Sequence, residues 1–450
     1  MAATITGSVI ADAANAQSVP QIKFEKYTLP NGLEVILSED HSTPIISVNT
    51  WYHVGSADEQ AGRTGLAHLF EHLMFMGSEH VPNGVFDKEL EAAGGDNNAS
   101  TAEDRTNYYE DIPSNALPLA LWLDSDRMGF LLPTMDKAKV DLQREVVKNE
   151  RRQGVENAPY GIANEVIVAG LYPKGHPYSW PVIGSMTDLS AASVDDVKNF
   201  FRTYYAPNNA TLSIAGDFDP VTTKALIKEY FGGIPRGPAL PPRPNVAPVV
   251  LPRDTFLVAE DRVQLPRAFY EWPSPKFFSK DDAPLDILAT ILASDKNSRL
   301  YKRLVYDMQV VQSVRASQQS ARLASTFEID VTPKPGQSLV GIDKVINEEI
   351  NRLMTEPVTE RELDRAKNSY RSSFLNRIAS VHGKADLLNQ YNYLTGTPDY
   401  VQKDAARYDG VTREDVQRVA RMYLGQHKLV LTVVPEGKRE LALTGNGGRQ

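Results

Sequence analysis

The sequence contains no cysteine. Disulfides, thiolate nucleophiles and cysteine-ligated clusters are therefore excluded, and any metal site must be built from His and carboxylates. No run approaches the roughly 18 apolar residues a membrane-spanning helix requires. A basic excess is also missing. Lys and Arg number 48 against 57 Asp and Glu, a net charge of −9, whereas a nucleic-acid binder needs a basic footprint. What remains is ordinary. Hydrophobic residues make up 42% and charged residues 23% of 450, which is a globular composition rather than a disordered or collagen-like one. A chain of this length does not gather its apolar surface into one core, so two or three domains are expected.

No Lys or Arg precedes Lys23. Residues Met1–Gln17 are small and apolar, and Ala14-Asn15-Ala16 has the A-x-A form of a signal-peptidase site, but the positive n-region is missing. The segment reads either as the remnant of an export signal, which favours a bacterial periplasm, or as a plain tail on a cytoplasmic chain.

Turn signals and short apolar runs alternate along the chain. After the Asn31-Gly32 turn, residues 33–37 read as a strand, and Ile45–Trp51 as a second. Residues 64–77, 115–129, 136–156 and 192–204 carry helical patterns. This mixture implies an α+β fold with helices packed on sheets. From Gly232 to Arg253 seven prolines interrupt the pattern, so a semi-rigid linker is expected there. The two sides of it look like copies. Asp196, Val197, Arg202, Tyr204 and Leu212 recur as Asp415, Val416, Arg421, Tyr423 and Leu431 at one offset of 219 residues. The expected organisation is a tail (1–19), a first domain (20–231), the linker (232–253), a homologous second domain (254–440) and a short tail (441–450).

The chemistry concentrates in Gly65-Leu66-Ala67-His68-Leu69-Phe70-Glu71-His72-Leu73. On a helix His68, Glu71 and His72 project from one face. Two imidazoles so placed can hold Zn²⁺, which in catalytic sites takes three protein ligands and leaves a position open, while a neighbouring carboxylate can remove a proton from water. The order H-x-x-E-H inverts the commoner zinc-peptidase word. The flanks are apolar, so this polar face needs partners. The helix expected over 136–156 offers Glu145 and Glu150 as a third ligand. They lie about 140° apart around it, and spacing alone does not choose between them.

H-x-x-E-H followed by Arg144-Glu145-Val146-Val147-Lys148-Asn149-Glu150 resembles the inverted-zincin peptidases of pitrilysin, insulin-degrading enzyme and the mitochondrial processing peptidase. The likeness spans most of the chain. Leu29-Pro30-Asn31-Gly32-Leu33, Gly94–Thr101, His176-Pro177-Tyr178 and Tyr205–Asn209 match further family words. The resemblance implies zinc held by His68, His72 and Glu150, with Glu71 as the base. It implies two similar domains forming half of a clam-shell chamber, and substrate pairing along an edge strand at Asn98, Ala99 and Ser100.

Two departures from the family pattern shape the functional expectation. A second acid often lies seven residues before the ligand Glu, and here that position is Gln143; Glu145 sits on another helix face. Active single-chain members also carry an Arg/Tyr pair that reaches the substrate carbonyl. Alignment on Ser298–Leu304 puts those positions at Val305 and Gln312, and Arg299 and Tyr306 are out of register. The expectation is a zinc metalloendopeptidase of short or unfolded peptides, acting as the metal-bearing subunit of a heterodimer whose homologous partner supplies the Arg/Tyr pair. The alternative is a non-catalytic scaffold or assembly subunit of the same family.

Overall fold

The computed structural model describes residues 19–243 and 245–445; the A-x-A segment falls outside them. Asn31 and Gly32 form the expected turn. Gly32 has φ +96°, and a Cβ there would strike Asn208, so a side chain is excluded on both counts. Asn31 Nδ2 donates to the carbonyls of Phe231 and Ile234, at 2.8 and 3.0 Å, which fastens the chain start to the end of the first half.

The first half builds strands β1 (Glu25–Thr28), β2 (Glu34–Glu39), β3 (Ile45–Tyr52), β4 (Asp96–Thr101), β5 (Thr106–Pro113) and β6 (Ala210–Gly216). Its helices are α1 (Leu66–Leu73), α2 (Val85–Ala92), α3 (Leu117–Phe130), α4 (Lys137–Arg151), α5 (Ala163–Leu171), α6 (Met186–Ala191), α7 (Val194–Tyr204) and α8 (Pro220–Phe231). The second half builds β7 (Thr255–Asp261), β8 (Arg267–Ser274), β9 (Val311–Gln319), β10 (Ser325–Pro333) and β11 (Leu429–Pro435). With them come α9 (Asp282–Ala293), α10 (Leu339–Thr355), α11 (Glu360–Ala379), α12 (Val381–Thr395), α13 (Val401–Asp409) and α14 (Arg413–Val419). From residue 235 to 254 the described residues form neither helix nor strand.

The sheets run β1-β2-β6-β3-β5-β4 and β7-β11-β8-β10-β9. Apart from β1, the second order repeats the first. In each, one pair is parallel, β2 with β6 and β7 with β11. The strands β6 and β11 stand 219 residues apart at both ends. The helices before them open with the same capping box, Ser193 with Asp196 and Thr412 with Asp415. The fold is α+β, with both sheets carrying helices.

Each sheet also receives a helix from the other half. Helix α12 lies across β3 and β6, where Asn389 Nδ2 donates to the Asn49 carbonyl at 2.9 Å and Asn392 Nδ2 to Glu34 at 2.7 Å. Helix α5 packs Ile167 and Leu171 against Phe269, Leu429, Leu431 and Val433. Burying each such side chain is worth roughly 1.5–3 kcal/mol, so the exchange couples the two halves. Helix α1 is shorter than the pattern over 64–77 suggests. Gly65, at the N-cap, takes a positive φ of +86° that glycine adopts without strain, and the helix already ends at Leu73, with Met74 as its C-cap. Over 136–156 the α-helix stops at Arg151 and the chain continues as a π turn, Arg152–Glu156.

Candidate metal centre

Helix α1 is fixed from behind and from its start. Leu69, Phe70 and Leu73 are buried, and the Phe70 ring packs on Tyr205, with centroids 4.1 Å apart. At the N-terminus the Glu59 carboxyl oxygens accept the N–H groups of Gly65 at 3.0 Å and Ala67 at 2.7 Å, donors that a helix start leaves without intrahelical partners. With the apolar face buried, His68, Glu71 and His72 face the other way. Helix α4 packs against α1, and its start is capped by Asp136, which accepts the Lys139 N–H at 2.9 Å.

This packing delivers Glu150 to the histidines. Its Oε2 lies 3.2 Å from His72 Nε2 and its Oε1 3.6 Å from His68 Nε2. One donor atom from each of the three lies within 4.8 Å of the others, the one such group found among the described residues. The imidazole rings stand at 89°, centroids 4.9 Å apart. Burial pushes the His68 imidazole down to about 4, so the ring is neutral at pH 7. The hydrogen bond to His72 holds the Glu150 carboxyl below its ordinary range. Glu71 stands beside this group. Its Oε2 accepts the Thr101 hydroxyl, and burial raises its carboxyl above the usual range. An ionised carboxylate and a neutral imidazole are the protonation states a divalent ion requires.

The other α4 residues weighed for the site do different things. Glu145 pairs with Lys148 at 2.8 Å, half exposed to solvent. The Gln143 amide reaches the Met76 sulfur. The residues Asn98, Ala99 and Ser100 lie on β4, at the sheet edge. Asn98 Oδ1 accepts the Ala99 N–H at 2.8 Å, Ser100 Oγ donates to Asn107 at 2.7 Å, and Arg105 donates to the Ser100 carbonyl at 2.7 Å. The edge is thus braced from one side.

In the second half Arg299 makes a two-pronged bond to Glu362, at 2.7 and 3.1 Å; Glu362 belongs to the capping box of α11. Tyr306 is 75% exposed. Neither meets the metal group. Val305 packs against the second core and Gln312 faces solvent. Other motif residues bind the halves together or support α1. The Tyr178 hydroxyl donates to Asp104 and accepts the Leu323 N–H at 3.1 Å, His176 stacks on Tyr172, and Tyr205 lies behind Phe70.

Residues 34–176 match the sequence profile described as Insulinase (Peptidase family M16), and residues 191–370 match that of the Peptidase M16 inactive domain. The chain belongs to peptidase family M16. A zinc protease of Helicobacter pylori, PqqE, is 30% identical over 407 residues, 89% of this M16 chain and 90% of the relative. The crystal structure of a protease from Helicobacter pylori superposes with a TM-score of 0.86 at 27% identity, over 92% of this chain and all of that one. The periplasmic protease PqqL of Escherichia coli matches at a TM-score of 0.76 and 20% identity, over 96% of this chain and 50% of that one. This M16 chain therefore has the half-chamber fold of its family. No helix of its described residues is long and apolar enough to cross a membrane.

Glu59 carries no motif, and its role emerges only once the fold brings it under α1. Burial pushes its carboxyl up to about 8. The folded state then keeps a proton that the unfolded chain has lost, so Glu59 makes stability fall as pH rises from about 4.5 toward 8. Thermal melts from pH 5 to 8 are expected to show a shallower decline in Glu59→Gln than in the wild type. Glu59→Ala, which removes both acceptors, is expected to cost about 1–2 kcal/mol near pH 5 and less as pH rises.

Proposed function

We propose that this chain is a zinc metalloendopeptidase that hydrolyses peptide bonds in short or unfolded peptides. The observation that carries the reading is the convergence of His68, His72 and Glu150 within 4.8 Å, with Glu71 beside them. Two imidazole nitrogens and a carboxylate suit Zn²⁺ and leave room in a four-coordinate site. Bound there, zinc would supply a Lewis acid that acidifies water and polarises a peptide carbonyl. The remaining steps belong to the chain. Glu71 takes a proton from the attacking water and returns it to the leaving amine, a task suited to a carboxyl whose affinity for protons burial has raised. The edge of β4, with Asn98, Ala99 and Ser100, offers main-chain groups to an extended peptide without demanding a sequence.

The chain itself, in this reading, is the metal-bearing subunit of a heterodimer, with residues 20–231 and 254–440 as homologous domains about the linker. Val305 has no side-chain donor where the family pair places one member, Gln312 is a neutral, solvent-facing amide where it places the other, and Arg299 is held by Glu362. A solved chain matched over only half its length supports a second half supplied by another polypeptide. The description of that relative as periplasmic supports export. Assaying this chain alone and with homologous partners carrying the Arg/Tyr pair tests the idea; full activity from the isolated chain would refute the need for a partner.

One observation favours the scaffold reading. The second profile is that of an inactive domain. It covers residues 191–370, which exclude Glu71 and all three residues of the metal group. Elemental analysis with a peptide assay separates the readings. Bound zinc with hydrolysis supports the peptidase, and bound zinc without hydrolysis in any pairing supports the scaffold.

A further inference from the structure

The turn between β4 and β5, Ala102–Arg105, is where the first half, the second half and the linker meet. It is closed by the Ala102 N–H, which donates to the Arg105 carbonyl at 2.8 Å. From the first half, the Ser56 and Ala57 N–H groups donate to the carbonyls of Ala102 at 3.2 Å and Glu103 at 2.8 Å, and the Tyr178 hydroxyl donates to the Asp104 carboxylate. From the second half, Arg322 stands 3.6 Å from the same carboxylate, and on α12 the Tyr393 hydroxyl donates to the Asp104 carbonyl at 2.9 Å. From the linker, Arg243 donates to the Tyr393 oxygen and to the His53 carbonyl. The Tyr393 ring is stacked on His53, centroids 4.5 Å apart, and the Arg243 guanidinium lies 5.2 Å from its centroid. An arginine only donates, so Arg243 takes the lone-pair side of the hydroxyl and leaves its one hydrogen for Asp104.

The working end of β4 hangs from this turn. Thr101, the residue before it, donates to Glu71. Arg105, its last residue, donates to the Ser100 carbonyl at 2.7 Å. A tight turn has little slack, so a displacement of Asp104 passes to Thr101 and Ser100. We propose that Tyr393 and Asp104 are positioning residues for the metal centre, through which the second half and the linker hold β4 so that Thr101 meets Glu71. Placement matters because a base acts only within hydrogen-bond reach of the proton it takes, and an error of about 1 Å there can cost about 100-fold. The second half, which contributes no member of the metal group, thereby acts on the base.

This inference deepens the peptidase reading and rests on it, so its test includes a readout that needs no turnover. Tyr393→Phe removes the hydroxyl and keeps the ring on His53. In the zinc-loaded full chain it is expected to lower the melting temperature by no more than about 2–4 °C. Amide hydrogen exchange over Ser100–Arg105 is expected to quicken by about threefold or more, with α3 unchanged, and zinc stoichiometry should stay at the wild-type value. In the pairing that hydrolyses peptide, kcat is expected to fall about tenfold with KM within about twofold. On a Thr101→Val background the same substitution should have no further effect on kcat, because it acts through Thr101. Asp104→Ala, which drops the Tyr178 and Arg322 contacts from the other side of the turn, is expected to reproduce the changes in exchange and kcat. Unchanged exchange or unchanged kcat in both variants, or a kcat loss that adds to that of Thr101→Val, overturns the proposal. Faster exchange in a chain whose wild type hydrolyses no peptide in any pairing would instead sink the peptidase reading and leave the clamp on β4 standing.

Discussion

Glu71→Gln is expected to lower peptide hydrolysis by about 10²- to 10⁴-fold while bound zinc stays at the wild-type stoichiometry. The amide keeps the shape of the carboxylate and can still accept the Thr101 hydroxyl, so α1 has no reason to move. His68, His72 and Glu150 keep their positions, and only the capacity to take a proton is lost. Turnover of a quenched fluorescent peptide, with elemental analysis of the same samples, measures both. A variant that retains full turnover, or that loses its zinc, would remove Glu71 from the role of base.

How much of this was legible in the sequence follows from how local each feature is. The face shared by His68, Glu71 and His72 depends only on helical periodicity, and eight residues of α1 suffice to present it. The duplication was legible at 193–216 and 412–435, where capping box, helix and strand lie within two dozen residues of each other. The same offset is silent about the exchange of α5 and α12 between sheets. Each of those helices packs on a sheet of the other half, as where Asn389 bonds the Asn49 carbonyl 340 residues away, and no local pattern says which sheet a helix will cover. The contacts of Thr101 with Glu71 and of Glu59 with Gly65 and Ala67 were hidden for a similar reason. The first joins a strand to a helix across the fold, and the second depends on a loop conformation that no periodic pattern encodes.

The choice between Glu145 and Glu150 is the sharpest case of tertiary packing deciding what periodicity left open, and it yields the second large effect. Glu150→Ala, like His72→Ala, is expected to weaken zinc binding by at least about 100-fold, whereas Glu145→Ala should leave it unchanged. The packing of α4 on α1 turns Glu150 toward both imidazoles at 3.2 and 3.6 Å and leaves Glu145 to Lys148. Metal competition titrations measure the affinities, and thermal stability gives an independent reading. Zinc at about 100 times its Kd should stabilise the wild type by about 2.7 kcal/mol, and the same concentration should do almost nothing for Glu150→Ala. Without metal the two chains should melt within about 0.5 kcal/mol of each other, because Glu150 is half exposed and supports no core contact. A loss confined to the zinc-loaded comparison marks a ligand. An equal loss in both marks a structural carboxylate, and zinc retained in Glu150→Ala but lost in Glu145→Ala would overturn the assignment altogether.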